Sequence, residues 1–525
     1  MLSLSKRLAI SLYPIGAITL LWILIITKVF TLSFYDNEYD TLPDARQDVH
    51  PEWLPEDWYL NLDIGYRSLF NLMAGNLVNL LGFRNGAYVS RGIGYLAVAM
   101  GVYLLFRTVK IRFSLAFLCL FFFLKSQSLV AGEWILGGAE TKTLSYAFVF
   151  LALACFLQKK YLTAFALSGL AASFHVLVGF YALFCTAVAI LLNKEWRCEW
   201  QKILLNAWPV AITGINGIKV LLTQSFSSAS PDADSGWMIY VTYRVPHHLY
   251  PATWEGWEWI ARFGLGILLF GLLLVWQKSN SAKFLATYGW ASAGLFLVGR
   301  LIYISGKTTL LRYYWFRFPD TMIPFLTTLL SAYILERILD SQLTLPRLTV
   351  KQQIQVRLML KWAFQLGVVA LLIISMWLST SRLHQELQDL KKAESTDPLL
   401  TTMRWISVNT PRQAVFLINP SILEFYIYAE RAVFVTWKTS PQTAPDMLEW
   451  YHRLLLCNGG QPPYRSGYAS TMELQNNFYA LDEEQINRIV QRYDIDYYLG
   501  SSQQNLSFER VYSNSSFTLY KIDKP

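Results

Sequence analysis

Tyr35-Asp-Asn-Glu-Tyr-Asp40 follows directly on an apolar run, Leu8 to Ser33, whose only charge is Lys28, and the reading of the chain turns on this junction. The acids continue through Asp44, Asp48, Glu52, Glu56 and Asp57, with Trp53 and Trp58 set beside Pro51 and Pro55. A helix needs about 20 apolar residues to cross a bilayer, so the first run delivers this acidic segment to a membrane–water boundary. Aromatics interleaved with acids there predict short helices lying along the surface between Phe34 and Phe83.

Outward from that junction the composition is consistent with a membrane protein. Hydrophobic residues make up 54%, charged residues 15%, aromatics 15%, and mean hydropathy is +0.31, whereas soluble chains carry about 25% charged residues. A soluble, disordered or fibrous protein is excluded. The net charge of +9 is spread over short loops between apolar runs, with no cluster of five basic residues, so it does not point to nucleic acid. Cys119, Cys155 and Cys185 lie in apolar runs, and with Cys198 and Cys457 they build no disulfide framework. Lys6 and Arg7 precede the first run and no small-residue cleavage site follows it, so the run is expected to be a retained first span that also targets the chain.

The hydropathy pattern predicts eleven spans: Leu8–Ser33, Gly86–Phe106, Phe113–Val130, Leu144–Leu157, Tyr161–Phe174, Leu177–Leu192, Ile203–Leu222, Trp259–Trp276, Phe284–Tyr303, Pro319–Leu335 and Trp362–Thr380. Dividing 161–192 at Phe174-His175 lets the flanking charges alternate, with 17 Lys and Arg on one set of loops and 8 on the other. Because cytoplasmic loops are the basic ones, the amino end is expected inside and the carboxyl end outside. The expected fold is mainly α: a polytopic domain over 1–380, with a large outer loop at 34–85, then a soluble extracytoplasmic α/β domain over 381–525. In that domain Ala414–Ile418, Ala432–Val435 and Asp496–Leu499 read as strands, Met447–Leu456 and Glu483–Arg492 as amphipathic helices, and Phe508–Ile522 as a hairpin.

Ionisable residues converge on the outer face under this topology. Besides Asp36, Glu38 and Asp40 in the first loop, they are Glu133, Glu140 and Lys142; Arg244, His247 and His248; Arg312, Arg317 and Asp320; and His175 at the turn. Charges near a membrane are costly and therefore candidates for function. A carboxylate with Arg, Lys and His suits an inverting sugar transfer, in which a base takes the acceptor's proton and cations stabilise a departing phosphate. Adjacent His247 and His248 offer no zinc spacing, and no phosphate-binding glycine loop or nucleophile elbow is present. No cofactor is expected, with a divalent metal left open. Glu430, Arg431 and Lys438 in the terminal domain read as a structural ion pair plus a strand-end charge, and that domain is expected to shape acceptor choice without carrying chemistry.

A first span, a large acidic outer loop, many short spans and an outward soluble domain together resemble the GT-C superfamily of membrane glycosyltransferases. A closer resemblance, through Asp57-Trp58, Glu140-Thr-Lys142, Arg244-Val-Pro-His-His248, Arg317-Phe-Pro319, Glu430-Arg-Ala432 and Trp437-Lys438, is to a bacterial multipass family of unassigned function with this architecture. The superfamily resemblance implies a polyprenyl-phosphate-linked sugar donor, membrane lipid partners and a catalytic acid in the first outer loop. Here that acid would be Asp36, Glu38 or Asp40, with Asp36 preferred as the one nearest the first span. The acids are spaced Asp-x-Glu-x-Asp, where the superfamily commonly has an adjacent pair. Arg244, His248, Arg312, Arg317 and Lys142 would bind the donor phosphate, with Asp57, Glu140, His175 and His247 as further candidates. The other classes compatible with the pattern are a transporter or lipid-carrier flippase, and a non-catalytic scaffold of the same architecture.

Overall fold

A computed structural model describes residues 4–62, 65–227, 232–340 and 350–522. Seven helices open the chain: α1 (Leu4–Val29), α2 (Glu38–Val49), α3 (Ser68–Thr108), α4 (Phe113–Lys125), α5 (Thr141–Leu157), α6 (Tyr161–Phe174) and α7 (Val176–Leu192). The remaining apolar runs form the helices Glu258–Trp276, Asn280–Ile304, Arg317–Asp340 and Val350–Thr396, and a broken series over Trp200–Leu205, Pro209–Thr213 and Ile215–Ser227.

Every expected apolar run is helical, yet the expectation of eleven spans is overturned. Among the described residues, five helices are long and apolar enough to cross a membrane, or six if the two arms of Trp200–Thr213 and Ile215–Thr223, bent by 69°, count as one. The reason is length: helices α4 to α7 have 13 to 17 residues, and at 1.5 Å per residue the longest reaches about 26 Å, short of a hydrocarbon core of about 30 Å. The chain is an integral multi-pass membrane protein in which several short helices pack against fully spanning ones. Helices α6 and α7 are separate, turning at His175, whose Nδ1 accepts from the Val178 amide at the start of α7.

The acidic first loop forms a helix, α2, laid against α3, with most of its residues buried. Gly75 permits this approach, since a Cβ there would stand 2.0 Å from the Ala45 carbonyl oxygen. At Gly82, where φ is +75°, α3 turns from its surface arm into the arm that contains Gly86–Phe106.

The last long helix runs unbroken through position 381 to Thr396, and Asp397 caps the next helix, Pro398–Asn409. The α/β domain beyond it holds one five-stranded sheet in the order β2-β1-β3-β5-β4. Its strands are β1 (Val415–Leu417), β2 (Ala432–Val433), β3 (Tyr497–Ser501), β4 (Glu509–Ser513) and β5 (Phe517–Lys521). β1 pairs in parallel with β2 and β3, while β5 pairs antiparallel with β3 and β4. This sheet does not hang free. Leu42, Trp53, Leu54 and Phe70 of the first loop and α3 bury into one core with Phe416, Phe425, Tyr426 and Val433. Polar contacts fasten the same seam: Glu430 accepts from Arg46 Nη1 and Trp53 Nε1, each at 3.0 Å, and Asp57 accepts from the Val433 amide at 3.0 Å.

Candidate active site

A cavity of about 360 Å³ opens where the first loop, the 126–140 loop, the α6–α7 turn, the 237–248 segment, the 312–317 segment and the C-terminal domain meet. One part of its wall is apolar, made by Phe174, Val176, Leu177, Val220 and Leu221; the rest carries charge.

The 126–140 loop is built around a buried carboxylate. Asp320, in the first turn of helix Arg317–Asp340, accepts from the amides of Leu129, Val130, Ala131 and Glu133 and from the Ser128 hydroxyl. That cradle aims Glu133 at two cations, Arg317 and Lys142, the latter at 3.2 Å. Lys142 also meets Glu140 at 3.1 Å and lies 4.1 Å from the Trp134 ring. Burial alone would raise the Glu133 carboxyl, but the charges of Arg317 and Lys142 outweigh it and hold it well below the usual range. Arg317 stacks over Tyr314 at 4.0 Å and reaches within 3.1 Å of His175 Nε2. Arg312 lies over Trp237 at 4.6 Å.

Arg244 ends a π-helical turn, Ile239–Arg244. It is buried, stacks on Trp437 at 4.2 Å and donates from Nη2 to the Lys438 carbonyl, while its Nε has no partner. His248 lies against the Ala131 carbonyl and 3.9 Å from Glu133. Burial pushes His248 down to about 3 and His247 down to about 4, so both are neutral at physiological pH and act as hydrogen-bonding groups.

The three loop acids have different fates. Glu38 is sealed: its carboxylate takes two bonds from Arg91 and one each from the Tyr35 and Ala139 amides, and both side chains have 0% exposure. Asp40 lines the cavity, but Oδ1 is held by Tyr59 at 2.8 Å and Oδ2 by Arg67 at 2.9 Å. Asp36 does not itself line the cavity, but its neighbour Asn37 and its partners Lys438 and Tyr468 do; its side chain is 39% exposed, Lys438 and Tyr468 both engage Oδ2, and among the described residues no donor reaches Oδ1. Burial would raise Asp36, but the Lys438 ammonium and the bonds from Lys438 and Tyr468 bring it below the usual carboxylate range.

The cavity therefore brings together Asp40, Glu140, Lys142, His175, Arg244, His247, His248, Arg312 and Arg317, with Asp36 joined through Lys438 and Tyr468. Glu38 lies under the loop, and Asp57 sits in the seam with the sheet, where burial raises it to about 6. The C-terminal domain carries more of the site than its sequence implies. Glu430 and Arg431 are structural, the latter bound to the Thr410 and Ser407 carbonyls, but Lys438 enters the cavity. The segment carrying it leaves the carboxyl end of β2, the edge of a parallel sheet where ligand sites commonly form. Arg67, Tyr66 and Tyr468 are further members that the sequence did not single out. Asp36, Asp40, Glu133 and Glu140 each face a Lys or Arg, and no cluster of three metal-ligating side chains occurs among the described residues.

Known proteins share this architecture. ArnT from Cupriavidus metallidurans, solved bound to undecaprenyl phosphate, superposes with a TM-score of 0.50 over 98% of each chain at 10% identity. The Archaeoglobus fulgidus oligosaccharyltransferase in its apo form gives 0.51 over 93% of this chain and 70% of that one at 11% identity. The same enzyme tethered to an acceptor peptide also gives 0.51, at 10% identity. The fold is that of the GT-C superfamily. Residues 398–457 match the model of a domain of unknown function, DUF6798, and the chain matches no curated protein. The matched stretch includes β1, β2 and Lys438.

Proposed function

We propose that the chain is a glycosyltransferase that moves a sugar from a polyprenyl-phosphate-linked donor to an acceptor at the outer face of a bacterial inner membrane, with inversion. The amino end is cytoplasmic and the C-terminal domain extracytoplasmic. The observation that carries this reading is the cavity, in which a cationic wall and an apolar wall meet beside one carboxylate with an oxygen to spare. A lipid phosphate needs that pairing of charge with apolar surface. The GT-C fold, seen in ArnT with undecaprenyl phosphate bound, supports it.

In this mechanism Asp36 Oδ1 takes the proton of the acceptor hydroxyl as its oxygen attacks the anomeric carbon. The bond from that carbon to the phosphate oxygen breaks with its electron pair, and negative charge grows on the phosphate. A single displacement inverts the anomeric centre. Arg244, whose guanidinium lines the cavity stacked on Trp437, is the principal phosphate contact. Arg312, Arg317 and Lys142 supply positive potential.

Binding of farnesyl phosphate to the purified protein in detergent tests the site. Charge-assisted contacts contribute about 1.5–3 kcal/mol each, so Arg244→Ala is expected to weaken binding about ten- to a hundredfold. Undiminished binding by a folded Arg244→Ala, together with full activity of Asp36→Asn, would put the transport reading ahead.

A further inference from the structure

The groups that bind Asp36 come from a different domain. Lys438 Nζ contacts Asp36 Oδ2, the Asn37 side-chain oxygen at 2.8 Å and the Tyr468 hydroxyl at 3.0 Å. The Tyr468 hydroxyl donates to the same Oδ2. Neither residue is loosely held. The Lys438 side chain is 6% exposed. It follows Trp437, whose amide donates to the Pro420 carbonyl and which has no exposure, and Trp450 Nε1 binds the Thr436 carbonyl just before it. The Tyr468 ring packs 4.8 Å from Trp437 and 5.4 Å from His247, on a turn begun by Gly467 at φ +62°.

We infer that Lys438 and Tyr468 are positioning residues: the C-terminal domain engages one oxygen of Asp36 from two sides and leaves the other for the acceptor's proton, so that the membrane domain alone holds an incomplete site. This rests on the reading of Asp36 as the base. A carboxylate at a loop rim would otherwise rotate, and two donors on one oxygen fix both its plane and the oxygen that is presented. In the step itself the proton passes from the acceptor hydroxyl to Oδ1. Lys438 and Tyr468 keep theirs, and the electron pair of the broken sugar–oxygen bond goes to the phosphate. The alternative, that the pair only glues domain to loop, is poorly supported, because the seam is already fastened by Glu430, Asp57 and a shared apolar core.

Two measurements on the full-length protein in lipid nanodiscs test this. The first needs no turnover: dicyclohexylcarbodiimide modifies protonated carboxyls, and labelling of Asp36 is read by mass spectrometry. Removing the opposite charge in Lys438→Met raises the protonated fraction by about tenfold or more, and Tyr468→Phe raises it less. The second follows release of undecaprenyl phosphate from a panel of undecaprenyl-phosphate-linked hexoses. Here Tyr468→Phe is expected to lower kcat about tenfold with KM for the donor unchanged, and Lys438→Arg to recover part of what Lys438→Met loses. Unchanged labelling of Asp36 in both Lys438→Met and Tyr468→Phe, at wild-type thermal stability, overturns the inference. Loss of donor affinity in place of kcat overturns it too. If Asp36→Asn keeps full transfer, it is the base assignment that fails; if Asp36→Asn is inactive while both clamp variants match wild type, only the clamp does.

Discussion

Glu38 and Asp36 lie two residues apart in one acidic run and end in opposite surroundings. Glu38 is enclosed with Arg91 beneath the loop, its two oxygens taking four bonds between them. Asp36 meets its cation at the rim of a cavity, with one oxygen engaged and the other open. The sealed pair holds the loop to the helix below it, and the open one is available to react. Ionisable residues at a membrane boundary thus divide by what remains unsatisfied, which the identity of the residues does not reveal.

Substitutions should separate the two. The largest effect is expected on rate: Asp36→Asn removes a base and should cost a factor of about 10²–10⁴ in transfer, with a smaller loss of stability than at the sealed pair, because Asp36 is 39% exposed although Lys438 loses its carboxylate. Wild-type turnover by that variant would erase the distinction. Arg91→Ala, at the sealed pair, should do the reverse and cost about 3–5 kcal/mol of stability by stranding a buried charge, visible as loss of folded protein by size exclusion. A stable Arg91→Ala would mean that Glu38 is not confined as described.

Smaller effects sharpen the picture. Arg317 is already committed to Glu133, so Arg317→Ala should perturb both the 126–140 loop and farnesyl phosphate binding, while Arg244→Ala, which gives up a ring stack and one backbone bond but no ion pair, should cost less stability; equal loss of thermal stability in the two would contradict this. The smallest effect is on pH. Asp57 is raised to about 6 by burial, from about 3.9 in an unfolded chain. Below about pH 4 it is neutral in both states and its contribution is complete; as pH rises through that interval the unfolded chain gives up its proton first, and the contribution is lost. The seam of loop and sheet should therefore resist proteolysis better near pH 4 than near pH 8, and the opposite trend would mean that Asp57 is paired.

Much of this was legible in the sequence. The helical runs, the helix after the first span, the break at His175 and most strands of the terminal sheet follow from periodicity and hydropathy. The span count did not, because hydropathy measures apolarity and not whether 13 to 17 residues cross alone or pack beside longer helices. The converging charges were visible, but their pairing was not. Arg91, a lone arginine inside an apolar helix, was a signal in plain sight for the partner of Glu38. Lys438 lies 402 residues from Asp36, and only the three-dimensional arrangement of sheet against loop places it there.

The central claim is that the cavity beside Asp36 receives a lipid-linked phosphate. A cryo-electron microscopy structure of the protein in nanodiscs with undecaprenyl phosphate tests it most directly. The account predicts the phosphate within hydrogen-bonding reach of the Arg244 guanidinium, the isoprenoid chain leaving along Leu177 and Val220, and Asp36 facing the phosphate. A phosphate bound elsewhere, with the cavity occupied only by water, would contradict it.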